Sequence, residues 1–197
     1  MAHPPVETVD PRIRRTRALL SEALGTLLEQ RPFGEISIQD IADRATVNRA
    51  TFYDHYPDKE ALLECMVAQR FFQLLERRKV SFDAGCASSL GGIVLGVCDY
   101  LTEVGGSSEG AGRRLEPHLE AAVIGVVRRM ILDGAKKHSP AGTASPEMVA
   151  TTVSWGLYGA AKEWYLTPNR CPSEEVVGTI VELISRAFRP APALASG

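Results

Sequence analysis

Few cysteines, few histidines and no long apolar run limit what this 197-residue chain can be. The four cysteines form no C-x-x-C pair, and no histidine stands at metal-ligand spacing beside them. We therefore expect reduced thiols and no metal or other cofactor. No segment approaches the roughly 20 apolar residues of a membrane-spanning helix, and the first residues lack an apolar signal core. The expectation is a cytoplasmic protein that makes no membrane contact.

An excess of positive charge is also missing, because 22 Lys and Arg stand against 24 Asp and Glu. The first 60 residues hold eight basic and ten acidic side chains. Net charge therefore does not indicate a nucleic-acid partner, and any such partner has to be inferred from the local placement of side chains. The 45% hydrophobic content is that of a globular chain with an apolar core.

Helical periodicity and capping signals run through the chain, with no alternating strand pattern and no internal repeat. The pattern predicts an all-α fold of about nine helices. The clearest predicted helices span 11–30, a short segment after Ser37, a short segment after Asn48 that ends before Pro57, a long segment from Asp58 to about 79, and then 84–105, 113–138 with a possible break near Pro117, 146–166 and 173–188.

Two short capped helices in succession are the most informative pattern. Ser37 is a predicted N-cap with Asp40 at the capping-box position, and Asn48 is a second N-cap after a break at Thr46. Short helices joined by a tight turn are typical of a helix-turn-helix unit. The preceding helix carries four arginines in its first turns, which are either a solvated charge run or a phosphate-facing arm.

The stretches SIQDIADRA and VNRATFYDHYPDKEAL resemble the DNA-binding domain of the TetR family of transcriptional regulators. The resemblance covers about residues 11–65 and implies three parts: a helix-turn-helix head at 10–57, a ligand-binding and dimerisation domain at 58–189, and a loose tail at 190–197. One position departs from the family pattern, because Thr46 stands where the family usually has glycine. A β-branched residue disfavours a positive φ, so we expect a different turn or slight strain there.

Phe52 and Tyr56 share a helix face and are predicted to be core residues. The neighbouring positions are expected to face DNA, partly from their place at the start of a recognition helix and partly from the resemblance. The predicted DNA-contacting residues are Ser37, Gln39, Asn48, Arg49, Ala50, Thr51, Tyr53, His55 and Lys59. Other interpretations stay open: Asn48 is first a cap, Arg49 could be an ordinary surface residue, and Tyr53 could pack against the first helix.

The helix at 146–166 is apolar on more than one side, which predicts burial on most of its circumference. The resemblance implies that this helix and the last one pair with their copies as a four-helix bundle. The predicted dimer interface is Val153, Leu157, Ala160, Trp164, Val177, Ile180, Val181 and Ile184, and the alternative is a wholly intrachain core. The predicted effector pocket is Leu95, Cys98, Leu101, Val127, Met130, Trp155 and Tyr158, each of which could also be ordinary core. Asp99 and His118 are either surface residues or groups that orient a polar ligand.

With these patterns, the resemblance implies a homodimeric repressor that binds a palindromic DNA operator and is released by an unknown small-molecule effector. A helical protein–protein adaptor and a transcriptional activator with the same fold are the alternatives. An enzyme is disfavoured, because the four scattered histidines offer no convergent nucleophile and base.

Overall fold

Eight α-helices and one 3-10 turn form the part of the chain that the computed structural model describes, namely residues 10–79, 87–106, 111–138 and 145–187. The helices are α1 (Pro11–Gln30), α2 (Ile38–Arg44), α3 (Arg49–Tyr53), α4 (Lys59–Arg77), α5 (Ala87–Gly106), α6 (Ala111–His138), α7 (Pro146–Leu166) and α8 (Ser173–Ala187), and the 3-10 turn is Phe33–Glu35. The all-α class is confirmed. None of the helices in these ranges is long and apolar enough to span a membrane. The predicted tail at 190–197 lies outside the described residues.

The predicted caps determine where the helices begin. Asp10 accepts a hydrogen bond from the backbone N–H of Arg12, with Pro11 at the first helical position. Ser145 accepts one from the N–H of Met148, again with proline next in the chain. Each side chain satisfies a helix N–H that has no partner within the helix. The proline at the first helical position has no N–H of its own that would need a partner. The sequence signals for these boundaries are confirmed.

The break predicted near Pro117 does not occur, because α6 continues through this proline as a single helix. A proline in this position removes one backbone hydrogen bond from the helix. Packing of α6 along both α7 and α4 offsets that loss over 28 residues. The local signal at Pro117 is therefore overridden by tertiary contacts.

A single hydrophobic core runs from the N-terminal helices into the C-terminal ones. In the N-terminal part, which we call the head, α1 packs on α2 and α4, and α2 packs on α3. Phe33 and Phe52 are completely buried there. In the C-terminal part, α5 packs against α4, α7 and α8. Gly96 permits the close approach of α5 to α4, since a Cβ at that position would lie 2.8 Å from the side chain of Leu75 in α4.

The turn between α2 and α3 is a Schellman motif with an unusual residue. The N–H of Thr46 donates to the carbonyl of Asp43 at 3.1 Å, and the N–H of Val47 donates to that of Ala42 at 2.9 Å. These bonds are the two that define the motif, which needs a left-handed residue after the C-cap. Thr46 supplies it with a φ of 56°. The turn therefore keeps its glycine geometry, and the expected slight strain is stored at a β-branched residue.

Candidate nucleic-acid interface

The N-terminal end of α2 is held by a reciprocal capping box. Ser37 Oγ accepts a hydrogen bond from the N–H of Asp40 at 3.1 Å, and the Asp40 carboxylate accepts from the N–H of Ser37 at 2.8 Å. The Ser37 hydroxyl donates to the same carboxylate, and Arg31 forms an ion pair with it at 3.0 Å. These bonds, those from Ser37 first, lower the pKa of Asp40 to about 2. Ser37 is thus committed to the cap, with its side chain still exposed at the helix start.

The recognition helix α3 is only one and a half turns long and is fixed at both ends. Asn48 caps it by accepting from the N–H of Ala50 at 2.6 Å, as the sequence predicts. The completely buried ring of Phe52 anchors its inner face, and Tyr56 is buried just beyond it. Both core predictions are confirmed. The short helix is therefore held in one orientation by packing rather than by its own length.

The outer face of α3 exposes an arginine and an aromatic ring. Tyr53 is 47% exposed. The guanidinium of Arg49 lies 5.7 Å from the Tyr53 ring centroid and donates to its hydroxyl at 3.2 Å. The other predicted contacts also lie on the surface: Ala50 is exposed, and Thr51 and His55 are half-buried. Gln39 of α2 is exposed as well and donates to Asp43 at 2.7 Å.

Lys59 is engaged within the chain. Its ammonium donates to the carbonyl oxygens of Ile36 at 2.7 Å, Phe33 at 2.9 Å and Gly34 at 3.4 Å. It also lies 4.7 Å from the centroid of the Phe33 ring. The predicted phosphate contact would require the ammonium to share or exchange these bonds. Sequence reasoning missed this role, because the three carbonyls lie 23 to 26 residues away along the chain.

The head touches the C-terminal helices through Phe33. Its ring centroid lies 4.7 Å from that of His118, near the beginning of α6. His118 is exposed, as one of its two interpretations from the sequence expects, and its ring also contacts the head. The proximity of Phe33 to both Lys59 and His118 links a predicted DNA-contacting residue to α6 through one aromatic ring.

The far end of α4 is fixed by Arg78. Its guanidinium pairs with Asp99 of α5, with one oxygen at 2.6 Å, and with Glu174 of α8 at 2.6 Å. It also donates to Ser173 at 3.3 Å. These hydrogen bonds, with Asp99 first, raise the pKa of Arg78, and the bond from Arg78 lowers the pKa of Glu174. Asp99 therefore does not offer a free carboxylate to a ligand.

The residues predicted for an effector pocket divide into two groups. Cys98, Val127 and Tyr158 are buried in the core, and burial raises the pKa of the Cys98 thiol to about 12. Leu95, Leu101 and Met130 are partly buried at its edge. Trp155 is instead 56% exposed, so it lines no buried pocket in this protomer. The prediction for Trp155 is revised for that reason.

An open groove of about 480 Å³ lies between α5 and the loop joining α7 to α8. Its lining includes Asp99, Thr102, Trp164, Asn169, Arg170 and Cys171. None of the seven residues predicted for the pocket lines this groove. Over the described ranges, no three His, Cys, Asp or Glu side chains come together as a possible metal site.

The predicted dimer interface is placed largely inside the protomer. Val153, Leu157 and Ile180 are buried, and Ala160, Trp164, Val177, Val181 and Ile184 are half-buried against the core. Val153, Leu157 and Ile180 are therefore covered within the protomer, and their part in a dimer interface stays a prediction. The outward stripe carries Met148 and Trp155, which are 63% and 56% exposed, and Leu183 of α8 is 62% exposed. Gly156 and Gly159 lie on the exposed side of α7, where a Cβ built at either would meet nothing within 4 Å.

Comparison with known proteins gives matches that are strongest in the head. A sequence family described as bacterial regulatory proteins, tetR family, matches residues 20–66. The HTH-type transcriptional regulator YxbF of Bacillus subtilis is 36% identical over 74 residues, which are 37% of this chain and 20% of YxbF. The HTH-type transcriptional regulator EthR of Mycobacterium tuberculosis is 44% identical over 62 residues, which are 27% of this chain and 28% of EthR. The chain thus spans less than a third of the length of these relatives.

A likeness over the whole fold comes from a solved structure. The crystal structure of Lin0861 from Listeria innocua matches 95% of this chain and 97% of its own, with a TM-score of 0.61 at 21% identity. At that identity the match establishes a shared all-helical fold.

Proposed function

We propose that the protein is a transcriptional repressor that binds a palindromic DNA operator as a homodimer and is released by a small-molecule effector. The match of residues 20–66 to the family described as bacterial regulatory proteins, tetR family, supports this proposal. The observation that carries the proposal is the outer face of α3. Arg49 and Tyr53 are exposed and contact each other, while Phe52 on the inner face is completely buried. An exposed arginine–aromatic pair on a rigidly held short helix suits the edges of bases in a major groove.

Arg49 is the proposed base-reading residue. Its guanidinium presents two parallel donors that match the O6 and N7 acceptors of guanine, a pairing worth about 1–3 kcal/mol of discrimination. Ala50 and the ring of Tyr53 suit contact with a thymine methyl group. Thr51 in α3 and His55 just after it are proposed to contact phosphate. Gln39 would reach DNA by releasing Asp43, and Asn48 and Ser37 act mainly by holding the two helices in position.

Dimerisation is proposed to use the outward faces of α7 and α8. Met148, Trp155 and Leu183 are large apolar side chains exposed on this pair of packed helices. A Cβ at Gly156, Gly159 or Gly178 would meet nothing within 4 Å, so a second helix has room to approach closely. An apolar surface of this kind is typical of an obligate contact. A two-fold symmetric pair of heads would then match a palindromic site.

Release would require an effector that binds more tightly to a conformation with a different spacing of the two heads. Helix α4 is proposed to transmit the change, because it begins at Lys59 in the head and its C-cap residue, Arg78, pairs with α5 and α8. The open groove beside Asp99 and the half-buried edge at Leu101 are adjacent places where an effector could influence that end.

Selection of genomic DNA fragments by the purified protein, followed by gel shift with wild type and Arg49→Ala, tests the proposal. We expect a palindromic motif, and a loss of affinity in Arg49→Ala with the dimer intact. Arg129→Ala in α6 is the matched control, because Arg129 is exposed outside both proposed surfaces, and it should bind as wild type does. If wild type enriches no motif and binds fragments without preference, specific operator recognition is refuted. If a compound shown to bind by thermal shift never alters the gel shift, the release step is refuted.

A transcription assay on the selected promoter separates repressor from activator. The added protein should lower transcript yield if it represses, whereas a rise in yield would support the activator alternative. If the head instead serves an adaptor through protein contacts, Arg49→Ala should leave DNA affinity and transcript yield unchanged.

A further inference from the structure

The first two turns of α1 carry four arginines that lie outside the segment matched by the family. They are Arg12, Arg14, Arg15 and Arg17, and all four are exposed. The family match begins only at residue 20. Within the described residues, none of these guanidinium groups forms an ion pair with a carboxylate. The four charges are thus solvated and available to a partner.

The charge distribution of the head gives these arginines particular importance. Residues 37–66, which include both helices of the helix-turn-helix, hold three basic and six acidic side chains. Residues 10–21 hold four basic and one acidic side chain, and that acid, Asp10, is the N-cap of α1. A helix-turn-helix that is itself acidic repels phosphate, and binding to DNA is driven mainly by cations that replace condensed counterions. The beginning of α1 is the positive region of the head.

The other cations of the head already have intrachain partners. Lys59 donates to three backbone carbonyls, and Arg31 pairs with Asp40 at 3.0 Å. Arg49 is in contact with Tyr53 and is assigned above to base recognition. Among the described residues of the head, Arg44, exposed at the end of α2, joins Arg12, Arg14 and Arg15 as a cation outside such contacts, while Arg17 lies over the ring of Tyr56.

The beginning of α1 lies next to the end of the recognition helix. The guanidinium of Arg17 lies 5.7 Å from the ring centroid of Tyr56, three residues after Tyr53. Ile13 is on the same helix face as Leu20 and Leu24, yet it is 38% exposed while they are buried. The first turns of α1 therefore extend past the core of the head, near the segment that follows α3.

We propose that Arg12, Arg14, Arg15 and Arg17 form a second DNA-contacting element that binds backbone phosphates next to the groove occupied by α3. The proposal rests on the DNA-binding function proposed above. It assigns to α1 the sequence-independent part of the affinity, and to α3 the reading of bases. Loss of the arginines should thus weaken binding to every sequence by a similar factor.

The test measures the salt dependence of binding to a random-sequence duplex, because phosphate contacts require no knowledge of the operator. Fluorescence anisotropy would follow binding of wild type, R12Q/R15Q, R14Q/R17Q and the fourfold variant from about 50 to 200 mM salt. Each phosphate contact contributes about 0.9 to the slope of log K against log salt. We expect the slope to fall by about 1 to 2 in each double variant and by up to about 3.6 in the fourfold variant.

The charge-matched control for the double variants is R77Q/R129Q, whose arginines are exposed on α4 and α6. It should keep the wild-type slope, and thermal melting should show that all variants remain folded, since the substituted side chains are on the surface. A fourfold variant with an unchanged slope would overturn the proposal. So would a loss confined to one operator sequence, because this would indicate base reading by the arm. If wild type itself binds no duplex in a salt-dependent manner, the proposed DNA-binding function is refuted, and not only the role of the arginines.

Discussion

The ammonium of Lys59 lies 2.7 Å from the carbonyl oxygen of Ile36, joining the first residue of α4 to the turn that precedes α2. The same ammonium also satisfies the carbonyl of Phe33. A residue predicted to contact DNA is thus a structural tie within the head. Its substitution is expected to affect folding as well as binding.

Lys59→Ala should lower the free energy of unfolding by about 1–3 kcal/mol, because it leaves part-buried backbone acceptors without their donor. Urea denaturation followed by circular dichroism would measure the change. Arg49→Ala is the comparison within the same head, since Arg49 bonds only to the exposed Tyr53 and should leave stability within about 0.5 kcal/mol of wild type. Equal stability of the two variants would contradict the structural role of Lys59.

Thr46→Gly should stabilise the protein by up to about 1 kcal/mol. The left-handed backbone of Thr46 costs roughly 1–2 kcal/mol in an L-residue, and the greater freedom of glycine in the unfolded chain offsets part of that gain. Thr26→Gly inside α1 is the matched control and should destabilise, because its backbone is helical. A lower melting temperature in Thr46→Gly would show that the turn is not strained.

The Asp40 carboxylate should make stability depend on pH in the acid range. Its pKa is lowered to about 2 in the folded protein from an ordinary value of 3.8, so its contribution is fully present above about pH 4. The contribution is then lost as the pH falls toward 2. Asp40→Asn should have a shallower loss of stability between pH 5 and pH 2 than wild type. Urea midpoints across this range would measure the difference, and identical slopes would contradict the capping box.

Gly96→Ala should destabilise the contact between α4 and α5 by about 1–3 kcal/mol, because its new methyl group would meet the side chains of Leu75 and Phe71 at 3.2 Å or less. Gly91→Ala in the same helix is the control. Its Cβ would lie 3.8 Å from Val177, an ordinary contact, so the higher helix propensity of alanine should leave it neutral or slightly more stable. Thermal melting of the pair would distinguish close packing from a general effect of removing glycine.

Trp155→Glu should convert the dimer to a monomer if the outward face of α7 is the contact surface. Phe72→Glu is the matched control, because Phe72 is 47% exposed on α4, outside the proposed surface. Sedimentation velocity would report the oligomeric state of both variants. A dimeric Trp155→Glu, or a monomeric Phe72→Glu, would place the interface elsewhere.

Local signals in the sequence were sufficient to predict where the helices of the head begin. The caps at Asp10, Ser37, Asn48 and Asp58 are set by side chains that bond to backbone groups two or three residues away, so they can be read directly. The exposed or half-buried positions around Phe52 follow from the helical period alone. These are the features that depend least on the rest of the fold.

The C-terminal domain depended on contacts that a single sequence does not reveal. α7 is apolar on two faces, and periodicity cannot indicate which of them meets the core. The stripe with Leu157 is buried, and the one with Trp155 is exposed. The bonds of Lys59 and Arg78 likewise join residues more than 20 positions apart, so they become visible only when the helices are packed.

The bonds of Arg78 determine how much free energy is needed to move the end of α4. One guanidinium holds the end of this helix to α5 and α8 together, so the helix cannot swing without breaking charge-assisted hydrogen bonds to both. An effector that acts through α4 must prefer the swung state by more than the cost of those bonds. Under the proposed release mechanism, a ligand with little preference for the swung state would bind without switching the protein. Arg78→Lys would weaken these bonds, so we expect the variant to respond at lower effector concentrations.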